Sequence, residues 1–192
     1  MDEGVAARDR RKSTADDYPR SAGWFARKLR GTLLNKRTII EKIIAVLTAE
    51  LDSYTQSARA AFTAATDEQS KAEGKYDTRA IEASYLARGQ SIQAREIMQA
   101  LQQYETLPVR DFIATAPIDI GAVVELEGKS GRTFYFVGPR GGGTEVECEG
   151  RTVLVLTPQS PMGQQLVGRK CGERLQIKVG RSGESYEIAA VS

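Results

Sequence analysis

The feature that most constrains the fold of this chain is an apolar repeat that begins after Lys36 and runs to Thr66 without a glycine or a proline. Its spacings alternate between four and three residues, which is typical of the heptad seam along which one helix packs on another. The seam residues are Ile40, Ile44, Leu47, Leu51, Tyr54, Ala58, Ala61 and Ala65. The sequence therefore predicts a long helix with a helical partner.

A second helical segment runs from about Tyr76 to Tyr104, and Pro108 ends it. Its seam can be read as Ala80, Ala83, Ala87, Gln90, Ala94, Ile97, Leu101 and Tyr104. The first seam runs from large to small side chains, and the second runs from small to large. Both orders fit one antiparallel pairing, and agreement between independent segments supports a fold. We expect residues 35–107 to form an antiparallel coiled-coil hairpin.

The turn of this hairpin, residues 66–77, reads TDEQSKAEGKYD and carries an acidic patch. Asp67, Glu68, Glu73 and Asp77 permit two interpretations. They can cap the helices and complement the dipole of the second helix. Alternatively, carboxylates at the tip of a thin hairpin can enter a channel and supply oxygen ligands to a Mg²⁺ ion in another enzyme's site.

The apolar period changes to two after Pro117, which indicates short strands between glycine-rich turns. One exception, SPMGQQLVGRK, reads as a short helix with Ser160 at its cap, Pro161 in its first turn and Gly168 after its last apolar residue. Residues 108–116 are a linker. The expected fold is α+β, in which the helical hairpin is followed by a small antiparallel-sheet domain (117–192) with one short helix. The run GPRGGG (138–143) is interpreted as a hairpin loop rather than a phosphate cradle, since no helix follows it.

Composition excludes several functions. The chain has no histidine, and its two cysteines, Cys148 and Cys171, form no CxxC pair. A Cys/His zinc site and a thiol–imidazole catalytic pair are therefore excluded, and we expect two reduced thiols that are buried or half-buried. No segment is apolar enough to span a membrane. Residues 1–34 read as a disordered basic extension, and the protein is expected in the cytoplasm.

The segment Thr157–Ile177 resembles the C-terminal signature of the bacterial Gre transcript-cleavage factors, S-P-[apolar]-G-x-x-L-[apolar]-G-[KR]-K-x-G-[DE]. The matching residues are Ser160, Pro161, Gly163, Leu166, Gly168, Lys170, Gly172 and Glu173. The order of the parts also resembles that family, a helical hairpin followed by an FKBP-like domain, and the resemblance covers about Lys36–Val191. The tip is less similar. Aligning the serines places Lys71 at the second family acid, whereas a gapped alignment places Glu73 there.

The resemblance implies a transcription elongation factor rather than an enzyme. Such a factor binds RNA polymerase, inserts its hairpin into the secondary channel and stimulates cleavage of backtracked RNA. Nascent RNA and DNA are then indirect partners. Asp67, Glu68 and Glu73 would be the catalytic acids, with Glu68 and Glu73 on the polymerase's Mg²⁺; the chain has no cofactor of its own. The expected polymerase-binding residues are Ser160, Pro161, Met162, Gly163, Leu166, Gly168 and Lys170.

Two alternatives remain from the sequence. One is a Gre-like regulator that occupies the channel without stimulating cleavage, which Lys71 at the tip favours. The other is a prolyl isomerase or chaperone module, suggested by the FKBP-like domain. Such activity needs an aromatic-lined pocket, and only 7% of the residues are aromatic.

Overall fold

Two long helices precede a sheet in the structure, a computed structural model that describes residues 34–66, 79–113, 115–179 and 182–192. Helix α1 spans Lys36–Thr66 and helix α2 spans Arg79–Glu105. The Asn35 side chain caps α1, since its Oδ1 accepts from the backbone N–H groups of Arg37 and Thr38 at 3.0 and 3.3 Å. The expected N-terminal extension and the acidic residues 67–77 lie outside the described residues.

The two helices pack along the predicted seams. In α1, Ile40, Leu47 and Ala61 are buried. In α2, Ala94, Ile97 and Tyr104 are buried. The N-terminal turns of α1 share one cluster with the C-terminal turns of α2, so the helices are antiparallel. The packed helix pair is thus confirmed, while its coiled-coil geometry stays a prediction.

The described residues of the second half form a sheet of six strands and one short helix, α3, at Pro161–Leu166. The strand order is β3-β4-β2-β1-β6-β5. The strands are β1 Val123–Gly128, β2 Gly131–Val137, β3 Glu145–Cys148, β4 Arg151–Leu156, β5 Arg174–Val179 and β6 Ser182–Val191. The α+β class is confirmed, and its FKBP-like character stays a prediction.

The prediction of a purely antiparallel sheet is wrong, because β2 and β4 pair in parallel, with Phe134 opposite Val153. The chain leaves β2 through residues 138–144, forms β3 at the sheet edge and returns as β4 between β3 and β2. GPRGGG therefore does not close a hairpin, since the strands it joins are not neighbours. The apolar runs FYFV in β2 and VLVL in β4 indicate strands covered on both faces, and such runs do not by themselves give the direction of pairing.

The sheet is buried on both faces. Val123, Phe136 and Val155 face a cluster with the bases of α1 and α2. Val124 and Val137 belong to a second cluster with Leu166 of α3. Strands covered on both sides read as nearly continuous apolar runs, as VLVL in β4 does. In the part of the chain described, no helix is long and apolar enough to cross a membrane.

Candidate functional site

The helix pair forms an arm that continues past the sheet. At a rise of 1.5 Å per residue, the 31 residues of α1 span roughly 46 Å. Large buried side chains such as Ile43 and Leu47 lie in its first half. Farther out the contact positions carry small residues, including Ala61, Ala83 and Ala87. Small contact residues let helices approach closely, so the outer arm is narrow.

Tyr104 anchors the base of the arm to the sheet domain. Its side chain is buried, and its ring lies 6.4 Å from that of Phe136 between centroids. The Tyr104 hydroxyl donates a 2.7 Å hydrogen bond to the backbone carbonyl of Arg140. Burial raises the pKa of the Tyr104 phenol, so the hydroxyl keeps the proton that it donates. This bond joins the last turns of α2 to the 138–143 loop.

Lys36 provides a second anchor, at the first turn of α1. Its side chain is buried, its Nζ donates to the backbone carbonyl of Arg110, and Nζ lies 4.8 Å from the centroid of the Phe112 ring. Burial lowers the pKa of the Lys36 ammonium, and the Asp111 carboxylate acts in the opposite direction. The segment after α2 is thereby held against the start of α1. The local sequence around Lys36 did not predict this contact, because its partner Arg110 lies 74 positions farther along the chain.

The predicted polymerase-binding segment forms α3 and the turn that follows it. Ser160 is the N-cap: its Oγ accepts from the Gly163 N–H at 3.0 Å and donates to the Thr157 carbonyl at 2.7 Å. Gly163 is buried so close to the chain that an added Cβ would stand 1.9 Å from Thr157 O. Gly168 has φ +86°, a conformation suited to a residue just after a helix.

These seven residues divide into an inner and an outer group. Gly163 and Leu166 are buried, and Leu166 is completely inaccessible. Pro161, Gly168 and Lys170 are exposed, and Met162 and Ser160 are half-buried. A partner can therefore touch the outer group, while the inner residues can only hold α3 in place.

The predicted catalytic acids Asp67, Glu68 and Glu73 lie outside the described residues, so the structure does not show whether they converge. Among the residues that it does describe, no group of three or more Asp, Glu or Cys side chains could hold a metal ion. The Mg²⁺ contact of Glu68 and Glu73 stays a prediction from the resemblance.

No protein-family model matches the sequence, and no curated protein matches it either. Three solved structures that are similar to this chain are of Gfh1. One, described as the transcription factor Gfh1, is 18% identical, with a TM-score of 0.34 over 77% of this chain and 92% of the other. Gfh1 of Thermus aquaticus is 19% identical, with a TM-score of 0.35 over 77% and 92%. The GreA factor homolog 1 of Thermus thermophilus is 16% identical, with a TM-score of 0.30 over 78% and 94%.

At TM-scores of 0.30 to 0.35 and identities below 20%, the likeness establishes neither the family nor the activity of this chain.

Proposed function

We propose that the chain is a Gre-type transcription elongation factor that binds RNA polymerase and stimulates cleavage of backtracked RNA. The observation that carries the proposal is the combination of a long, narrow arm with a Gre-like signature segment on one small sheet domain. A pair of helices can enter a channel too narrow for a globular domain. The anchors at Tyr104 and Lys36 fix the base of the arm. Binding of the sheet domain to the polymerase would therefore also set the direction of the arm.

The docking surface that we propose is the exposed part of the signature segment. Pro161 and Gly168 present uncharged surface beside the exposed ammonium of Lys170. The adjacent Arg169 is half-buried and lies 3.4 Å from the Glu173 carboxylate. Replacing Lys170 by Glu should weaken polymerase binding, because the charge that an acidic partner surface would meet is reversed. Lys129→Glu, in the turn between β1 and β2, is the matched control and should bind like the wild type.

The catalytic part of the proposal rests on the acids of the tip. Glu68 and Glu73, with Asp67 beside them, would supply carboxylate oxygens to the polymerase's Mg²⁺ when the arm is inserted. Mg²⁺ favours such hard oxygen ligands and commonly shares them with substrate phosphates. Under this proposal the chain itself would not be an enzyme, since its acids would complete an active site that belongs to the polymerase.

The test is transcript cleavage by stalled, backtracked elongation complexes of the cognate polymerase, with Mg²⁺ and the protein added. The double variant Glu68→Ala/Glu73→Ala should bind the polymerase as the wild type does and lose cleavage stimulation. Glu41→Ala/Asp52→Ala removes the same charge from the exposed stem of α1 and should keep full activity. Equal cleavage by wild type and tip variant would remove the catalytic role from these acids.

A second candidate is a regulator that occupies the channel without aiding cleavage. The observation that favours it is Lys71, whose positive charge lies within the acidic patch in the sequence and would oppose a nearby metal ion. It predicts that the wild-type protein slows RNA extension and releases no 3′ fragments. In that case Lys71→Ala should be tested for a gain of cleavage, since it removes the opposing charge.

A further inference from the structure

A cleft lies between the helix pair and the loop that joins β2 to β3. Its volume is about 860 Å³, which is within the range of roughly 300–1,000 Å³ found for small-molecule sites. Loop residues 139–144 form one wall, and α1 and α2 form the other. Thr157 and Gln159 complete the lining.

The loop wall offers backbone N–H groups. The Arg140 carbonyl accepts from the buried Tyr104 hydroxyl, and the structure has no cis peptide bond in its described part. In a trans peptide the N–H points opposite to the C=O, so the Gly141 N–H points away from Tyr104. Within the described chain, the amides of Arg140, Gly141 and Gly142 donate no hydrogen bond. Successive free amides around a left-handed residue, here Gly141 at φ +70°, form concavities that bind anions.

The same wall carries a guanidinium group. Arg140 is exposed, and its side chain forms no ion pair with any described residue. The Tyr104 bond holds the backbone of Arg140 through its carbonyl, so the side chain starts from a fixed point of the loop wall. A guanidinium group next to free amides is suited to a phosphate group, which it can bind through two parallel hydrogen bonds.

The helix wall has the opposite chemistry. Glu50 of α1 and Glu96 of α2 contribute carboxylates, and Gln93 and Gln103 contribute amides. Carboxylates repel a phosphate but accept hydrogen bonds from sugar hydroxyls, as they do in dinucleotide-binding sites. The cleft therefore has a wall for an anion and a wall for hydroxyl or amino groups. Leu47, Ile97 and Ala100 add apolar surface between them.

We propose that this cleft binds a nucleoside phosphate. Its phosphate lies on the amides of residues 140–142 and the Arg140 guanidinium, and its sugar faces Glu50 and Glu96. Among the described residues, no aromatic side chain lines the cleft, so the base is held by its edges and the apolar surface rather than by ring stacking. None of the described residues that line the cleft belongs to the docking surface proposed above, and the test of this site needs no polymerase.

Calorimetric titration of the full chain with ADP and GDP tests the proposal, with adenosine and inorganic phosphate as partial ligands. We expect at least one of the two nucleotides to bind more tightly than either partial ligand. Arg140→Gln should weaken that binding on the order of tenfold to a hundredfold, as loss of a charge-assisted contact does. Arg95→Gln removes the same charge from an exposed position of α2 outside the lining of the cleft and should bind as the wild type does. Glu96→Gln should weaken binding of the nucleotide and leave binding of inorganic phosphate unchanged or stronger.

Three results would overturn the proposal. One is no binding of either nucleotide, which would also be the result if the cleft takes an acidic protein segment. Another is an equal effect of Arg140→Gln and Arg95→Gln, which would show only a loss of general positive charge. The third is binding of inorganic phosphate as tight as that of the nucleotides, which would leave the helix wall without a part in recognition.

Discussion

The Tyr104 hydroxyl fills the place where a side chain at residue 138 would begin: a Cβ on Gly138 would stand 2.1 Å from Tyr104 Oη. The same hydroxyl donates its 2.7 Å hydrogen bond to the Arg140 carbonyl. The arm and the sheet domain therefore meet at a contact that only glycine at position 138 permits. This contact also holds the loop wall of the cleft.

Gly138→Ala should destabilise the protein by about 1–3 kcal/mol, since overpacking a filled core has that cost. Tyr104→Phe removes the atom that clashes and leaves the Arg140 carbonyl without its donor, which costs a similar amount. The double variant should be less destabilised than the sum of the two, because the 2.1 Å clash is gone and the contacts that remain, with Val155 Cγ1 at 3.0 Å and Tyr104 Cζ at 3.1 Å, are milder. Urea unfolding of the four proteins measures this coupling. Strictly additive losses of unfolding free energy would show that the added methyl group and the Tyr104 hydroxyl do not compete for the same space.

Gly163→Ala should be more harmful than changes at its exposed neighbours. The added methyl group would collide with a backbone carbonyl, Thr157 O at 1.9 Å, so α3 must move. We expect a loss of about 1–3 kcal/mol for Gly163→Ala and about 1 kcal/mol for Ser160→Ala, which removes the cap. Pro161→Ala, at an exposed position, is the control and should cost at most about 1 kcal/mol, through the greater freedom of the unfolded chain. Thermal unfolding of the three variants measures these losses of stability. A loss in Pro161→Ala as large as that in Gly163→Ala would contradict the close packing assigned to Gly163.

Glu125 is the buried carboxylate of β1, with its side chain 6% exposed and 2.7 Å from Arg132 Nη1. Arg132→Met should cost roughly 1–3 kcal/mol, because it leaves a buried acceptor without this donor. Glu127, 52% exposed and 3.7 Å from the same arginine, offers the comparison. Glu127→Gln should change stability by at most about 0.5 kcal/mol, as exposed ion pairs contribute little. Equal losses in chemical denaturation would show that burial does not distinguish the two pairs.

The two thiols should differ in reactivity. Burial raises the pKa of the Cys148 thiol above its ordinary 9.0, and the neighbouring Glu149 acts in the same direction. The native state then holds this proton more tightly than the unfolded state. The resulting stability is present below pH 9.0 and is lost as the pH rises above it. Alkylation followed by peptide mass analysis should modify the half-buried Cys171 first and Cys148 only on unfolding. Between about pH 8 and pH 10, the free energy of unfolding should fall less in Cys148→Ala than in the wild type.

The sequence predicted the elements well where local chemistry decides them. The caps at Ser160 and Gly168 and the seams of α1 and α2 depend on near neighbours, and the structure contains them. Ile39 and Ile43 show the limit of that approach. Both are completely buried, yet they lie outside the predicted seam, because they belong to the cluster that α1 shares with the sheet. A heptad pattern predicts the face of α1 that packs on α2. It does not predict that a second face of the same helix packs on the sheet.

The site was less predictable. The signature segment led to the prediction of a docking surface around α3, but its spacing could not show that Gly163 and Leu166 are buried. No sequence pattern pointed to Arg140. The cleft that it lines forms only where its loop meets two helices that are distant in sequence. The parallel pairing of β2 with β4 likewise depends on a long-range return of the chain.

The pairing of β1 with β6 has a kinetic consequence. Val124 lies opposite Val191, so β6 comes from the far end of the domain to lie between β1 and the edge strand β5. Chains that must close such long loops before strand contacts form fold slowly, whereas antiparallel helices joined by a turn form early. We expect folding to proceed from the arm toward the sheet, with the insertion of β6 as its slow step.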